Sequence, residues 1–139
     1  MKLMLDVNIV LDVVQKRVPH YKPSAKVMSS IVVGKHIGYL PAHAITTVHY
    51  LISKYSTTSK ANETIDWLLL QFNIAAITKE SLLLSRTLLF DDFEDAVVAT
   101  VAKEQQCEYI ITRNVQDFRN SPVKVITPEE FLSEDFKDV

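Results

Sequence analysis

The sequence predicts an α/β fold, a parallel sheet with helices over both faces. Three observations carry that expectation. Short apolar strands alternate with longer segments of helical period along the 139 residues. Some strand-to-strand connections hold two or more helices, as buried parallel pairing allows. Hydrophobic residues make up 47% of the chain, enough for one domain spanning 1–139 to bury a core.

The elements follow in order. Lys2–Asp6 reads as a short buried strand, and Val7–Lys16 as a helix with Val10, Val13 and Val14 on one face, closed by Pro19. Residues 23–33 are helical by period, with Ala25, Met28, Ser29 and Val32 aligned. Ile37–Leu40 is a second strand, closed by Pro41. His43–Tyr55 is a helix with Ile45, Val48, His49 and Ile52 in line. Thr57 or Ser59 caps the next helix, which carries Ile65, Leu68, Leu69 and Phe72. Ile74–Ile77 is the third strand. Thr78 caps Lys79–Leu89, and Asp92–Gln106 is a helix with Val98, Ala99 and Ala102 inward. Tyr109–Thr112 and Val123–Ile126 are the last strands. Thr127, Pro128 and Glu130 then supply a cap, a first-turn proline and a third-position glutamate for a closing helix.

Composition narrows the function classes. A net charge of −2 provides no global basic field for nucleic acid, although an acidic site needing divalent cations is compatible with it. The one cysteine, Cys107, excludes a disulfide framework or zinc cluster and fits a reducing cytoplasm. Asp6 and Asp12 interrupt the apolar start, so no signal-peptide pattern is expected, and no window reaches the ~18 uncharged apolar residues of a membrane span. Gly34 and Gly38 are the only glycines, so Gly-rich phosphate loops are absent.

The chemistry lies in the carboxylates. In a parallel sheet the active crevice opens beyond the carboxyl ends of the strands. Asp6 ends the first strand; Arg113, Asn114 and Asp117 follow the fourth; Asp92 and Asp95 open the helix before it. Clustered carboxylates repel when ionised, and a divalent cation relieves that repulsion. Oxygen donors without Cys or His point to Mg²⁺ or Mn²⁺ and to phosphoryl chemistry. Each residue also has a plainer reading. Asp6, Asn114 and Asp117 are turn formers, Asn8 is a helix cap and Asp12 a solvated helix residue. Asp92 and Asp95 favour a helix N-terminus, and His49 is a core histidine. Glu94 and Asp91 are expected to face solvent.

LDVNIVLD at the start and DFEDAVVATVAKEQQCEYIITRNVQDF near the end, in this α/β order, resemble the PIN domain family over nearly the whole chain. The resemblance implies a three-layer α/β/α sandwich with a central parallel sheet. It also implies an Mg²⁺- or Mn²⁺-dependent ribonuclease, a hydrolase, of the kind found as VapC-type toxins with a cognate antitoxin. Asp6, Asp95 and Asp117 match the family's metal-binding acids, and Asn114 falls where many members have aspartate. Asn8, Asp92 and Thr112 match supporting positions. One departure stands out: AITTVHYL replaces an ITLAEL-like pattern, so His49 occupies the place of a glutamate.

The leading expectation is therefore a metal-dependent endoribonuclease with catalytic residues Asp6, Asp95, Asn114 and Asp117. Arg113 would contact phosphate, and Lys16, Arg17, Lys22 and Lys26 would track the RNA backbone or simply be solvated. RNA, an antitoxin protein and a second copy of the chain are the expected partners. The alternative is a degenerate, non-catalytic PIN module that binds RNA or protein. A phosphotransfer domain fits less well: DVN lacks the second acid of a haloacid-dehalogenase-like DxD, and Lys124 falls inside a strand rather than after one.

Overall fold

The computed structural model describes residues 1–135. Five strands, β1 (Lys2–Leu5), β2 (Ile37–Pro41), β3 (Asn73–Ala75), β4 (Tyr109–Ile111) and β5 (Lys124–Ile126), pair in parallel in the order β3-β2-β1-β4-β5. The helices are α1 (Val7–Val14), α2 (Tyr21–Val32), α3 (Ala42–Tyr55), α4 (Thr58–Gln71), α5 (Lys79–Thr87), α6 (Phe93–Glu104) and α7 (Pro128–Asp135). A 3₁₀ turn, Val115–Phe118, follows β4 and was not foreseen from the sequence.

Strand alternation divides the core. Leu3 and Leu5 of β1 join Val10, Val27, Ile31, Val48, Leu68 and Phe131 on one face; Met4 joins Val97, Val101, Ile110 and Phe118 on the other. Helices thus cover both faces, the three-layer α/β/α arrangement. From β1 the chain moves outward through β2 and β3, then returns to place β4 on β1's other side. The order reverses between β1 and β4, and the carboxyl ends of these two strands lie side by side. Open parallel sheets carry their binding crevices at such a switch point.

Local signals set most helix ends. Thr57 and Thr78 accept from the backbone N–H of Lys60 (3.0 Å) and Ser81 (3.1 Å). Thr127 and Glu130 bond each other's backbone N–H, both at 3.1 Å. Helix α2 starts two residues before Pro23, because a first-turn proline sacrifices no intrahelical bond. Its inward face is Ser24, Val27, Met28 and Ile31 rather than the expected Ala25–Met28–Ser29–Val32 row. Val27 and Ile31 bury more apolar surface than Ala25 and Ser29, so the helix is rotated toward them. Helix α5 turns Ser81 and Ser85 inward onto α6, leaving Leu82, Leu83 and Leu84 exposed. Among the described residues no helix is long and apolar enough to cross a membrane.

Gly38 of β2 marks a close approach of side chains from the helical layer to the sheet. A Cβ there would lie 2.7 Å from the Phe72 ring and 2.8 Å from Ile31 Cδ1. Gly38→Ala is expected to destabilise the fold by about 1–3 kcal/mol through overpacking. Chemical denaturation is the check, and an unchanged midpoint would show that Phe72 moves aside freely.

Candidate active site

Asp6 is the first residue past β1 and occupies the N-cap position of α1. Its backbone N–H extends the ladder by donating to Ile111 O (3.0 Å). Its carboxylate is almost wholly buried and accepts a hydrogen bond from Thr112 Oγ1 at 2.9 Å. Thr112 in turn receives the Asn114 backbone N–H at 3.1 Å, and Asn114 O receives that of Asp117 at 3.0 Å. One short chain of bonds therefore runs from the end of β1 to the 3₁₀ turn. At the start of α6, Asp92 Oδ1 caps the helix by accepting from the Asp95 backbone N–H (3.1 Å). The plainer reading of Asp92 holds, and Asp95 sits in the first turn.

These segments converge on one small polar pocket of about 270 Å³, walled by Asp6, Asn8, Asp92, Glu94, Asp95, Asn114 and Asp117. Glu94, expected to face solvent, belongs to the pocket wall. It lies in the first turn of α6, between Asp92 and Asp95, and that turn abuts the end of β1. Burial, then the charges of Asp92, Asp6, Asp117 and Glu94, push the Asp95 carboxyl up to about 7. Burial also raises Asp6, against the hydrogen bonds from Thr112 and the backbone of Val7 and Asn8. Cys107 is buried elsewhere, and burial pushes its thiol up to about 11, which disfavours the thiolate.

Several expectations are redirected. Asp12 is fully buried rather than solvated: its Oδ2 accepts from Arg113 Nε (2.9 Å) and Ser24 Oγ (3.1 Å). Arg113, expected on phosphate, turns to Asp12 and does not line the pocket. Asn8 does not cap α1; Asp6 holds that position, while Asn8 Oδ1 accepts from Arg17 Nη1 at 3.4 Å. Within the basic cluster, Lys16, Lys22 and Lys26 are exposed, and Arg17 bonds this pocket residue. His49, in the glutamate's place, is half-buried and pairs with Asn62 Oδ1 of α4 at 2.9 Å, away from the acids. A different histidine of α3 approaches: His43 Nε2 lies 3.4 Å from Glu94 Oε1. Position 43 is at the start of α3, directly after β2, so proximity to a strand end was the available signal.

The donor set is all oxygen, as Mg²⁺ or Mn²⁺ prefers, and its mutual repulsion is the kind a cation relieves. Among the described residues no three acidic, Cys or His side chains are gathered into a ready cage. Ions that keep several waters do not need one.

A PIN domain family model matches residues 2–116. The chain belongs to the PIN domain family. It is 28% identical over 134 residues to Ribonuclease VapC1 of Aquifex aeolicus, covering 94% of this chain and 92% of that relative. The PIN fold recurs in VapBC2 from Rickettsia felis bound to a DNA fragment from their promoter (TM-score 0.72, 16% identity, 91% and 98% of the two chains). It recurs also in Mycobacterium tuberculosis VapC20, described as a sarcin-ricin loop cleaving toxin (TM-score 0.63, 10% identity, 78% and 86%). The three-layer reading of the sequence agrees with these PIN-fold relatives.

A carboxyl raised in the folded state, like Asp95 at about 7 against 3.8, stabilises the fold fully below its unfolded pKa. That contribution is lost as pH rises through its folded pKa. The Asp95 contribution to the stability of metal-free protein is thus expected to fall away between about pH 4 and about pH 7, and Asp95→Asn to flatten the decline. Urea midpoints across that range test it; equal slopes in the two proteins would contradict it.

Proposed function

We propose that this chain is a divalent-metal-dependent endoribonuclease, the toxin of a toxin–antitoxin pair. The observation that carries the reading is the acidic pocket at the β1/β4 switch point, where Asp6, Asp95, Asn114 and Asp117 meet. Family membership and the relative named as a ribonuclease support it.

Asp6, Asp95 and Asp117, with Asn114, are the residues that would hold Mg²⁺ or Mn²⁺. Bound there, the ion would neutralise charge on a phosphodiester under attack and acidify a water. Thr112 keeps the Asp6 carboxylate aimed outward from the strand end. Asp95, protonated up to about pH 7 in the absence of metal, gives up its proton to admit a cation, so metal affinity rises with pH through that range. Arg17, linked to Asn8 at the pocket edge, takes over the phosphate contact expected of Arg113. RNA is the substrate in this reading. The solved VapBC neighbours support an antitoxin partner. A second copy of the chain is a further partner in this reading, with Leu82, Leu83 and Leu84 exposed around α5.

The lack of an acid from α3 favours a second reading, a non-catalytic module that binds RNA or protein. Glu94 in the pocket wall weighs against it, since it restores a carboxylate at that site.

Millimolar Mn²⁺ is expected to raise the melting temperature, the stabilisation reaching about 2.7 kcal/mol at a hundredfold excess over Kd. Single-stranded RNA cleavage in Mn²⁺ should fall at least about 100-fold in Asp6→Asn and Asp95→Asn. Metal stabilisation without cleavage in the wild type would leave the non-catalytic reading standing. No stabilisation at all would remove the metal site.

Position 49 separates the two views of α3. Because His49 faces Asn62, His49→Glu is expected to leave Mn²⁺ affinity within about threefold and cost under about 1 kcal/mol. A paired Mn²⁺ titration and melting curve decides, and markedly tighter binding would place position 49 at the metal.

A further inference from the structure

Asp12 is a carboxylate with no exposed surface, six residues after the pocket acid Asp6. Its Oδ2 receives both Arg113 Nε (2.9 Å) and Ser24 Oγ (3.1 Å), while its Oδ1 has no partner. Burying a charge with one cation and an orphan oxygen stabilises less than packing apolar side chains in the same space. What the pair supplies is direction: the guanidinium is planar and its donors are fixed in the plane.

That direction matters because of what lies on either side of Arg113. Thr112 grips Asp6, at the start of α1, through its hydroxyl at 2.9 Å. Arg113 grips Asp12, six residues further on, which at a rise of 1.5 Å per residue is roughly 9 Å along the helix. A single contact leaves a pivot; two contacts from adjacent residues to points that far apart fix the turn against the helix. Ser24 brings α2 onto the same oxygen. The fixed turn then sets Asn114, whose N–H meets Thr112 Oγ1, and Asp117, whose N–H meets Asn114 O. Neither Asp12 nor Arg113 lines the pocket.

We propose that Asp12 and Arg113 are positioning residues: with Ser24 they clamp the turn bearing Asn114 and Asp117 to the helix that begins at Asp6. The inference rests on the ribonuclease reading, and its test separates the two. Asp12→Asn keeps the shape and an acceptor but removes the charge. The full chain with Asp12→Asn is expected to lose about tenfold or more in kcat for single-stranded RNA in Mn²⁺, with KM within about threefold. In the same variant without metal, the Asn114 and Asp117 amides should exchange hydrogen at least about tenfold faster, while Met4 and Ile110 stay as in wild type. Arg113→Lys should lose as much, and the double variant no more than either, because both break one clamp.

Unchanged exchange at Asn114 in Asp12→Asn would overturn the clamp. So would acceleration spread evenly over β1 and β4, which would mark a general structural role. An Arg113→Lys effect confined to KM and additive with Asp12→Asn would make Arg113 a phosphate contact instead. If Asp12→Asn does not fold, Ser24→Ala removes one of the two bonds and is expected to speed Asn114 exchange about threefold; no change there overturns the proposal equally. A wild type that cleaves no RNA would end the ribonuclease reading, while the exchange measurements would still judge the clamp.

Discussion

The hydroxyl of Thr112 on the Asp6 carboxylate joins residues 106 positions apart, and the site depends on that bond. It forms because β1 and β4 are direct neighbours, with Leu5 in register with Ile111 and the Asp6 N–H on the Ile111 carbonyl. A carboxylate this buried needs a donor to remain useful, since burial alone drives it toward the neutral form. Thr112 is that donor, and the same hydroxyl accepts from Asn114. A change of register between the two central strands would undo the acid and the turn together.

The second constraint is repulsion. Asp92, Glu94 and Asp95 crowd the first turn of α6, opposite Asp6 and Asp117. A helix start tolerates negative charge, because its free N–H groups and dipole favour it, and Asp92 uses one of those groups directly. The tolerance is incomplete: burial first, and then the charges of Asp92, Asp6, Asp117 and Glu94, push Asp95 up to about 7. The pocket is therefore strained electrostatically in the direction that a proton or a cation relieves. His43 Nε2, from the start of α3, lies beside Glu94 Oε1.

Much of this was legible in the sequence, for local reasons. The alternation of apolar strands and periodic helices specified a parallel sheet, and parallel pairing puts all carboxyl ends on one edge. Asp6, Asp95, Asn114 and Asp117 follow strands or open a helix, so their convergence needed only the right strand order. The caps at Thr57, Thr78, Asp92 and Thr127 are local hydrogen bonds between residues three apart, and such bonds are written in the sequence.

What the sequence determined by itself was the class of fold, the capped helix starts at Thr57, Thr78, Asp92 and Thr127, and the acids of the pocket other than Glu94, because each depends on period or on near neighbours. Only the tertiary structure decided which faces turned inward and which polar groups found distant partners. Asp12 looks like a solvated helix residue until α2 and the turn after β4 bring Ser24 and Arg113 to it across 12 and 101 positions. His49 has the position of a ligand in the chain, yet α4 supplies Asn62 and draws it away. Ser81 and Ser85 go inside while three leucines stay outside, because Thr100 and Glu104 of α6 offer hydrogen bonds there. A polar side chain goes where its hydrogen bonds are met, and a partner a hundred residues away leaves no trace in local pattern.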